Sequence, residues 1–358
     1  MKTIAVCMII KDEEEVLDRV LSSVSKFADE IIIVDTGSSD NSIELAKKYT
    51  NMVYEYTWQN DFSKARNYSI SLAKSDYFMW LDADDCILED DIKKLINLKS
   101  KLTDEDVIML PYNTGFDDKG NVTFSYYRER ILKNNGQFRF VDPVHEVIVP
   151  TGKIVYKNIN IMHKKAKTSN PKRNLNIYLD LKSRNYPFSA RNQFYFACEY
   201  YYNQMYNEAI VEFDKYLDLS DGYIENKIQA CINMCRIYQY MGDYTSAIKY
   251  AIRSFVYDTP RAEVLCELGY IYTTIYDYNK SIYYYKLAIS NPPRNSGAFI
   301  EFDKYNYVPY IQLGICYYYL GNINLAYKYN HKALKYKSND TLALTNEKFY
   351  LSQIKKTQ

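Results

Sequence analysis

The chain has 358 residues, long for a single core, so two domains are the natural expectation. Its 45 basic and 44 acidic side chains nearly cancel, so no whole-chain field draws it to nucleic acid or to an anionic membrane. No run of about 18 apolar residues is present, so no membrane span is expected, and the seven scattered cysteines fit reduced thiols in a cytoplasmic setting.

In chain order, the first apolar run is Thr3–Ile10, too short and too quickly followed by the acids Asp12 to Glu15 to be a signal peptide, and it reads as a strand. Two further runs, Glu30–Val34 and Tyr77–Leu81, also read as strands, with helical patterns at Glu14–Phe27 and Asn41–Tyr49. Near-continuous apolar strands alternating with helices predict a parallel sheet covered on both faces. Such sheets bind ligands beyond the carboxyl ends of their strands.

Those ends are acidic. Lys11-Asp12-Glu13-Glu14 follows the first strand, Asp35-Thr36-Gly37-Ser38-Ser39-Asp40 the second, and Asp82-Ala83-Asp84-Asp85 the third. The plain reading of the second is a turn, with Gly37 at the bend and Ser39 or Asp40 capping the next helix. That leaves Asp35 without a partner at the end of a buried strand. In the third, the outer acids of Asp-x-Asp point to one side of an extended chain, a donor set suited to Mn²⁺ or Mg²⁺. There is neither a Gly-x-Gly-x-x-Gly after the first strand nor a Gly-x-x-x-x-Gly-Lys-Ser/Thr, which disfavours dehydrogenases and P-loop nucleotidases.

Together with Asn60-Asp61-Phe62-Ser63-Lys64-Ala65-Arg66-Asn67, Val144-His145-Glu146 and Ile161-Met162-His163, these motifs resemble the family 2 glycosyltransferases of GT-A fold. Within them the chain is similar to the branch with C-terminal tetratricopeptide repeats, which includes bacteriocin peptide glycosyltransferases and lipopolysaccharide-core sugar transferases. The resemblance implies an inverting transfer of a hexose or N-acetylhexosamine from a UDP-sugar. Nucleotide-sugar binding would fall to Ile10, Asp12, Glu14, Asp35, Arg66, Asp82, Ala83 and Asp84. Asp35 would face the base with Arg66 near it, and Asp82, Asp84 and His163 would serve the metal. Glu146 would be the catalytic base, its bland alternative being a surface salt bridge. Two positions depart from the family: Asp12, where Asn is frequent, and Asp142-Pro143, where Gly precedes Val-His-Glu.

Composition changes sharply after Lys165: nine of the 40 tyrosines precede it and 31 follow. The expected organisation is therefore an α/β domain over 1–165, a linker and connecting helix over 166–191, and all-α tetratricopeptide-like repeats over 192–358. Small residues Ala209, Ala247, Ser281 and Ala326 recur at intervals of 38, 34 and 45, the last stretched by an insertion at 291–306. The four-residue spacing of Cys231 and Cys235, with no second pair, favours core over zinc. The tyrosine-rich helices read as inter-repeat core, with an aromatic groove or a homodimer surface as the bolder option. A peptide or protein acceptor is the leading expectation, an envelope saccharide the second, and a non-catalytic adaptor with a relic α/β domain the third.

Overall fold

The computed structural model describes residues 2–117, 119–164, 170–293 and 300–357. The expected domain end at residue 165 and the middle of the 291–306 insertion lie outside the described residues. The chain divides into two compact units, Met1–Pro187 and Phe188–Gln358.

In the first unit, β1 (Ile4–Ile10), α1 (Glu14–Val24), β2 (Glu30–Asp35), α2 (Ser42–Lys47), β3 (Val53–Glu55), α3 (Phe62–Ser71) and β4 (Tyr77–Trp80) follow in strand–helix alternation. Then come β5 (Asp85–Cys86), α4 (Glu89–Lys101) and the long strands β6 (Val107–Phe116) and β7 (Val122–Lys133). Short strands β8 (Phe140–Val141), β9 (Val147–Ile148), β10 (Ile154–Tyr156) and β11 (Ile161–His163) precede α5 (Arg173–Ser183). The sheet order is β3-β2-β1-β4-β7-β6-β11-β5, with β10 also beside β6. It is parallel from β3 to β4, but β7 runs antiparallel to β4 and to β6, so the sheet is mixed. The three apolar runs read as a parallel sheet are parallel neighbours as β2, β1 and β4, and the antiparallel pairing enters with β7, beyond those runs.

Both faces of the parallel half are covered. Val6, Met8 and Ile10 join Val16, Leu17, Val20, Leu21 and Val24 of α1 in one core, whereas Ala5 and Cys7 join Ile32, Phe78, Trp80 and Phe140 in the other. Alternate residues of one strand thus feed opposite cores, and the sites remain where the strands end. Helix α5, within the expected linker segment, buries Leu175, Ile177 and Tyr178, and its Tyr178 hydroxyl lies 3.5 Å from the Val144 carbonyl. Apolar positions three apart give it a packing face, so it belongs to the first compact unit.

The second unit consists of helix pairs: α6 (Ala190–Tyr202) with α7 (Tyr206–Asp218), α8 (Ile224–Tyr240) with α9 (Tyr244–Arg253), α10 (Ala262–Thr274) with α11 (Tyr278–Ser290), and α12 (Tyr307–Tyr319) with α13 (Ile323–Leu334), followed by α14 (Thr341–Thr357). Ala209, Ala247, Ser281 and Ala326 are fully buried, as close helix approach requires. A Cβ on Gly269 would meet the Tyr285 ring at 2.7 Å, so only glycine fits there without movement. Cys231 and Cys235 are buried in adjoining apolar clusters. At each pair's turn one residue takes the left-handed conformation: Gln204, Gly242, Tyr276 and Gly321, with φ of 59°, 76°, 63° and 76°. In the last three turns the next residue, Asp243, Asp277 or Asn322, caps the second helix with its side chain.

Candidate active site

The segment Asn60–Asn67 acts as a splice between distant parts of the chain. Asp61 caps α3 by accepting the Lys64 amide at 3.0 Å. The Phe62 amide donates to the Pro143 carbonyl at 2.8 Å, and Asn67 clasps the Phe140 backbone at both its N–H (2.8 Å) and its C=O (2.9 Å). With the 140–146 segment fixed, Arg66 reaches two acids at once. Its Nε donates to Glu146 Oε1 and its Nη2 to Asp82 Oδ1, each at 2.6 Å. Burial would raise the Asp82 pKa, but Arg66, then Arg130 and His163, hold it well below the ordinary carboxylate range.

Asp82, Ala83, Asp84 and Asp85 leave β4 in a tight loop in which the Asp82 amide donates to the Asp85 carboxylate at 3.0 Å. Strand β11 pairs antiparallel with β5 in a register setting His163 opposite Asp85. His163 Nδ1 thereby lies 3.2 Å from Asp84 Oδ1, 3.4 Å from Asp85 Oδ1 and 2.8 Å from the Tyr112 hydroxyl. Burial would lower the His163 pKa, but the contacts with Asp84 and Asp85 outweigh it and raise the value to about 9. One ligand atom from each of Asp82, Asp84, Asp85 and His163 can be chosen so that all lie within 4.8 Å of one another. Three carboxylates and an imidazole at that spacing are a chemically suitable donor set for Mg²⁺ or Mn²⁺.

The first two strand ends are engaged differently. Asp35 is buried, and its carboxylate accepts the Gly37 amide (2.9 Å), the Ser38 amide (3.0 Å) and the Ser38 hydroxyl (2.5 Å). The partner that the strand-end acid needed is its own turn, with Gly37 at φ +105°. Asp12 accepts the Ser39 amide at 2.6 Å, and Glu14 accepts the Asn41 amide at 2.9 Å. These two acids lash the loop after β1 to the loop after β2. Asp40 accepts from both the Glu14 and Ser42 amides, while the cap position of α2 itself falls on Asn41, one residue beyond the expected one. Ile10 and Ala83 are buried, and the Ile10 carbonyl accepts the Thr36 amide at 2.9 Å.

The departures from the family pattern have a backbone explanation. Asp12 takes φ 54° and Asp142 φ 72°, the left-handed region that Asn and Gly enter most readily. Three residues outside the expected set complete the site. Arg19 of α1 donates to the Asp84 carbonyl at 2.9 Å, Tyr112 meets His163, and buried Arg130 pairs with Asp85 at 3.2 Å. Tyr112 and Arg130 stand on neighbouring strands of the β6–β7 hairpin, a pairing that periodicity alone does not reveal.

Residues 5–161 match the model of the family "Glycosyl transferase family 2". A TPR repeat-containing protein of Synechococcus elongatus is 32% identical over 148 residues, which cover 41% of this chain and 36% of that protein. The SPbeta prophage-derived glycosyltransferase SunS of Bacillus subtilis is 29% identical over 148 residues, 40% of this chain and 34% of its own length. The chain thus spans little more than a third of the length of these relatives. Among solved structures, that of MamA overlays with a TM-score of 0.38 at 21% identity, covering 47% of this chain and 89% of MamA. Among the described residues, no helix is long and apolar enough to cross a membrane. The match to the glycosyl transferase family 2 model thus lies within the first unit, and the second unit is built of successive helix pairs.

Proposed function

We propose that the chain is a metal-dependent inverting glycosyltransferase that moves a hexose or N-acetylhexosamine from a UDP-sugar to a peptide or protein acceptor. The observation carrying this reading is the meeting of Asp82, Asp84 and His163 with Arg66 and Glu146 beyond β4 in a family 2 domain. Asp82, Asp84 and His163 would hold Mn²⁺ or Mg²⁺, which when bound supplies positive charge against the diphosphate leaving group. Arg66 orients both carboxylates, and its guanidinium is well suited to a phosphate oxygen as well. Glu146 takes the proton of the acceptor's hydroxyl or thiol as that atom bonds to the anomeric carbon. The bond from the anomeric carbon to the diphosphate oxygen breaks on the opposite face, which inverts the configuration.

Asp35, with lone-pair capacity beyond its three turn hydrogen bonds, is the residue offered to the nucleotide base, and Ile10, Asp12, Glu14 and Ala83 shape the surrounding loops. The peptide acceptor rests on the motif resemblance and on the extended surface that stacked helix pairs present. That surface captures the acceptor or a second copy of the chain. A cytoplasmic setting is supported by seven cysteines that are all free thiols.

The test is direct. The purified chain is incubated with UDP-sugars and Mn²⁺, and released UDP is measured with and without EDTA. Slow hydrolysis that stops in EDTA and returns with Mn²⁺ is the expected result, and activity unaffected by EDTA rejects the metal assignment. Intact-mass analysis of candidate peptides then identifies the acceptor.

A further inference from the structure

Arg130 is among the most deeply buried charges of the molecule, with no part of its side chain exposed. Its guanidinium lies between the Trp80 ring, 3.9 Å from the centroid, and the Tyr112 ring, at 4.2 Å. Nη1 lies 3.2 Å from the Asp85 carboxylate and donates to the Trp80 carbonyl at 3.1 Å. Nε and Nη2 are buried with no hydrogen-bond partner among the described residues. A stabilising role alone explains this poorly, since an apolar side chain of similar volume commonly serves as well as a buried ion pair and leaves no nitrogen unsatisfied.

The charge count supplies a reason. Asp82, Asp84 and Asp85 stand together, and three carboxylates in so small a space would attract a divalent cation without help. Two of the three are already paired, Asp82 with Arg66 and Asp85 with Arg130. Arg66 is shared with Glu146, so with that acid counted a cation entering the cluster meets about two net negative charges in place of four, before His163 is considered. Arg66 retains a little exposure, whereas Arg130 is pinned on both faces and cannot swing away.

We propose that Arg130 is a positioning residue that both fixes the acid loop and holds down its intrinsic affinity for a divalent cation. The cation is then retained only in company with an anionic diphosphate, which supplies the missing negative charge. This second half rests on the glycosyltransferase reading. The first does not.

The experiment is an Mn²⁺ titration of the full chain at pH 8 without nucleotide, following the electron paramagnetic resonance signal of the free ion. The wild type should bind more weakly than about 10⁻⁴ M, toward the weak end of carboxylate sites. Arg130→Met removes the charge and keeps much of the bulk, so Mn²⁺ should bind about tenfold tighter or more. Arg130→Lys keeps the charge and should stay within about twofold of the wild type. Circular dichroism checks each fold. If Arg130→Met does not fold, Arg66→Met removes the other cation of the cluster and carries the same expectation. Micromolar binding by the wild type, or unchanged affinity in a folded charge-removal variant, overturns the inference. Adding UDP, GDP, CDP or ADP in parallel tests the donor reading separately: one nucleotide should tighten Mn²⁺ retention, and none doing so counts against that reading while the binary titrations still decide the role of Arg130.

Discussion

Each unit contains a network of largely buried charges, and the two networks are built to opposite ends. In the second unit Arg236 pairs with Glu267 at 2.9 Å and Glu301 at 2.7 Å, Lys304 joins Glu267 at 3.2 Å, and Gln239 donates to the other Glu267 oxygen at 3.1 Å. Every charge there has an opposite partner. In the first unit Arg66 is stretched between two acids that belong to different loops, two Arg130 nitrogens have no hydrogen-bond partner among the described residues, and the Asp84 carboxylate lies beside His163 and two further acids. A closed network holds helices together, whereas an unbalanced one leaves capacity for a ligand. Buried charge by itself therefore says little about chemistry, and unmet demand says more.

Removing one acid from the open network should have the largest effect. Asp84→Asn is expected to leave circular dichroism and melting near wild type while abolishing sugar transfer, assayed as UDP release. Glu146→Gln should follow, lowering transfer to a hydroxyl acceptor by about 10²–10⁴ with donor affinity little changed. A thiol acceptor would soften that loss, because it is already partly ionised near neutral pH. An unimpaired rate on a hydroxyl acceptor would move the base to another residue.

The closed network should respond in stability instead. Breaking it with Glu267→Gln leaves Arg236 and Lys304 undercompensated and is expected to cost roughly 3 kcal/mol in urea unfolding, with UDP-sugar hydrolysis by the folded fraction unchanged. Burial would raise the Glu267 pKa, but Arg236 and Lys304 pull it down to about 2 from an ordinary 4.5. A depressed folded pKa means that this stabilisation is complete above about pH 4.5 and is lost as the pH falls toward 2. Glu267→Gln should flatten that part of the stability profile. A profile identical to wild type would show that the network is not the source.

The smallest effect expected is a gain. Tyr276 occupies the left-handed turn position that Gly242 and Gly321 fill in neighbouring pairs. Tyr276→Gly should relieve strain worth about 1 kcal/mol, offset in part by the entropy of a freer unfolded chain, so a rise in melting temperature of a few degrees is the upper bound. Gly321→Ala should act in the opposite sense.

Much of this comparison was legible before any fold was known. The Asp82–Asp85 loop, the strand-end acids and the period of small residues all lie in short segments whose meaning is local. Even the contrast in tyrosine content separated the two halves. What the sequence hid was pairing between segments. The stretch from Ile154 to His163 forms two short strands, β10 and β11, and the second delivers His163 to Asp85 through a pairing that no local pattern announces. Arg130 resembles any exposed arginine on a strand until the aromatic rings of β4 and β6 close over it. Asp12 and Glu14 attract attention as acids beside a ligand crevice, yet their carboxylates tie one loop to another. A side chain's type is visible in one dimension, but what satisfies it is a matter of three.

The reach of Arg66 has a consequence for how the molecule is made. Its contact with Glu146 closes a separation of 80 residues, and it depends on the Asn67 clasp of Phe140 across 73. Helix pairs of the second unit, by contrast, meet neighbours a few tens of residues away. Contacts between distant positions incur loop-closure entropy before they return any stabilisation, so they form late and set the pace of folding. On a ribosome, the acids after β4 emerge well before Glu146, and for that interval Arg66 has only half of its partnership. A refolding experiment following site assembly by Mn²⁺-dependent nucleotide binding, beside helix formation by circular dichroism, should find the helices first and the binding signal on a slower phase.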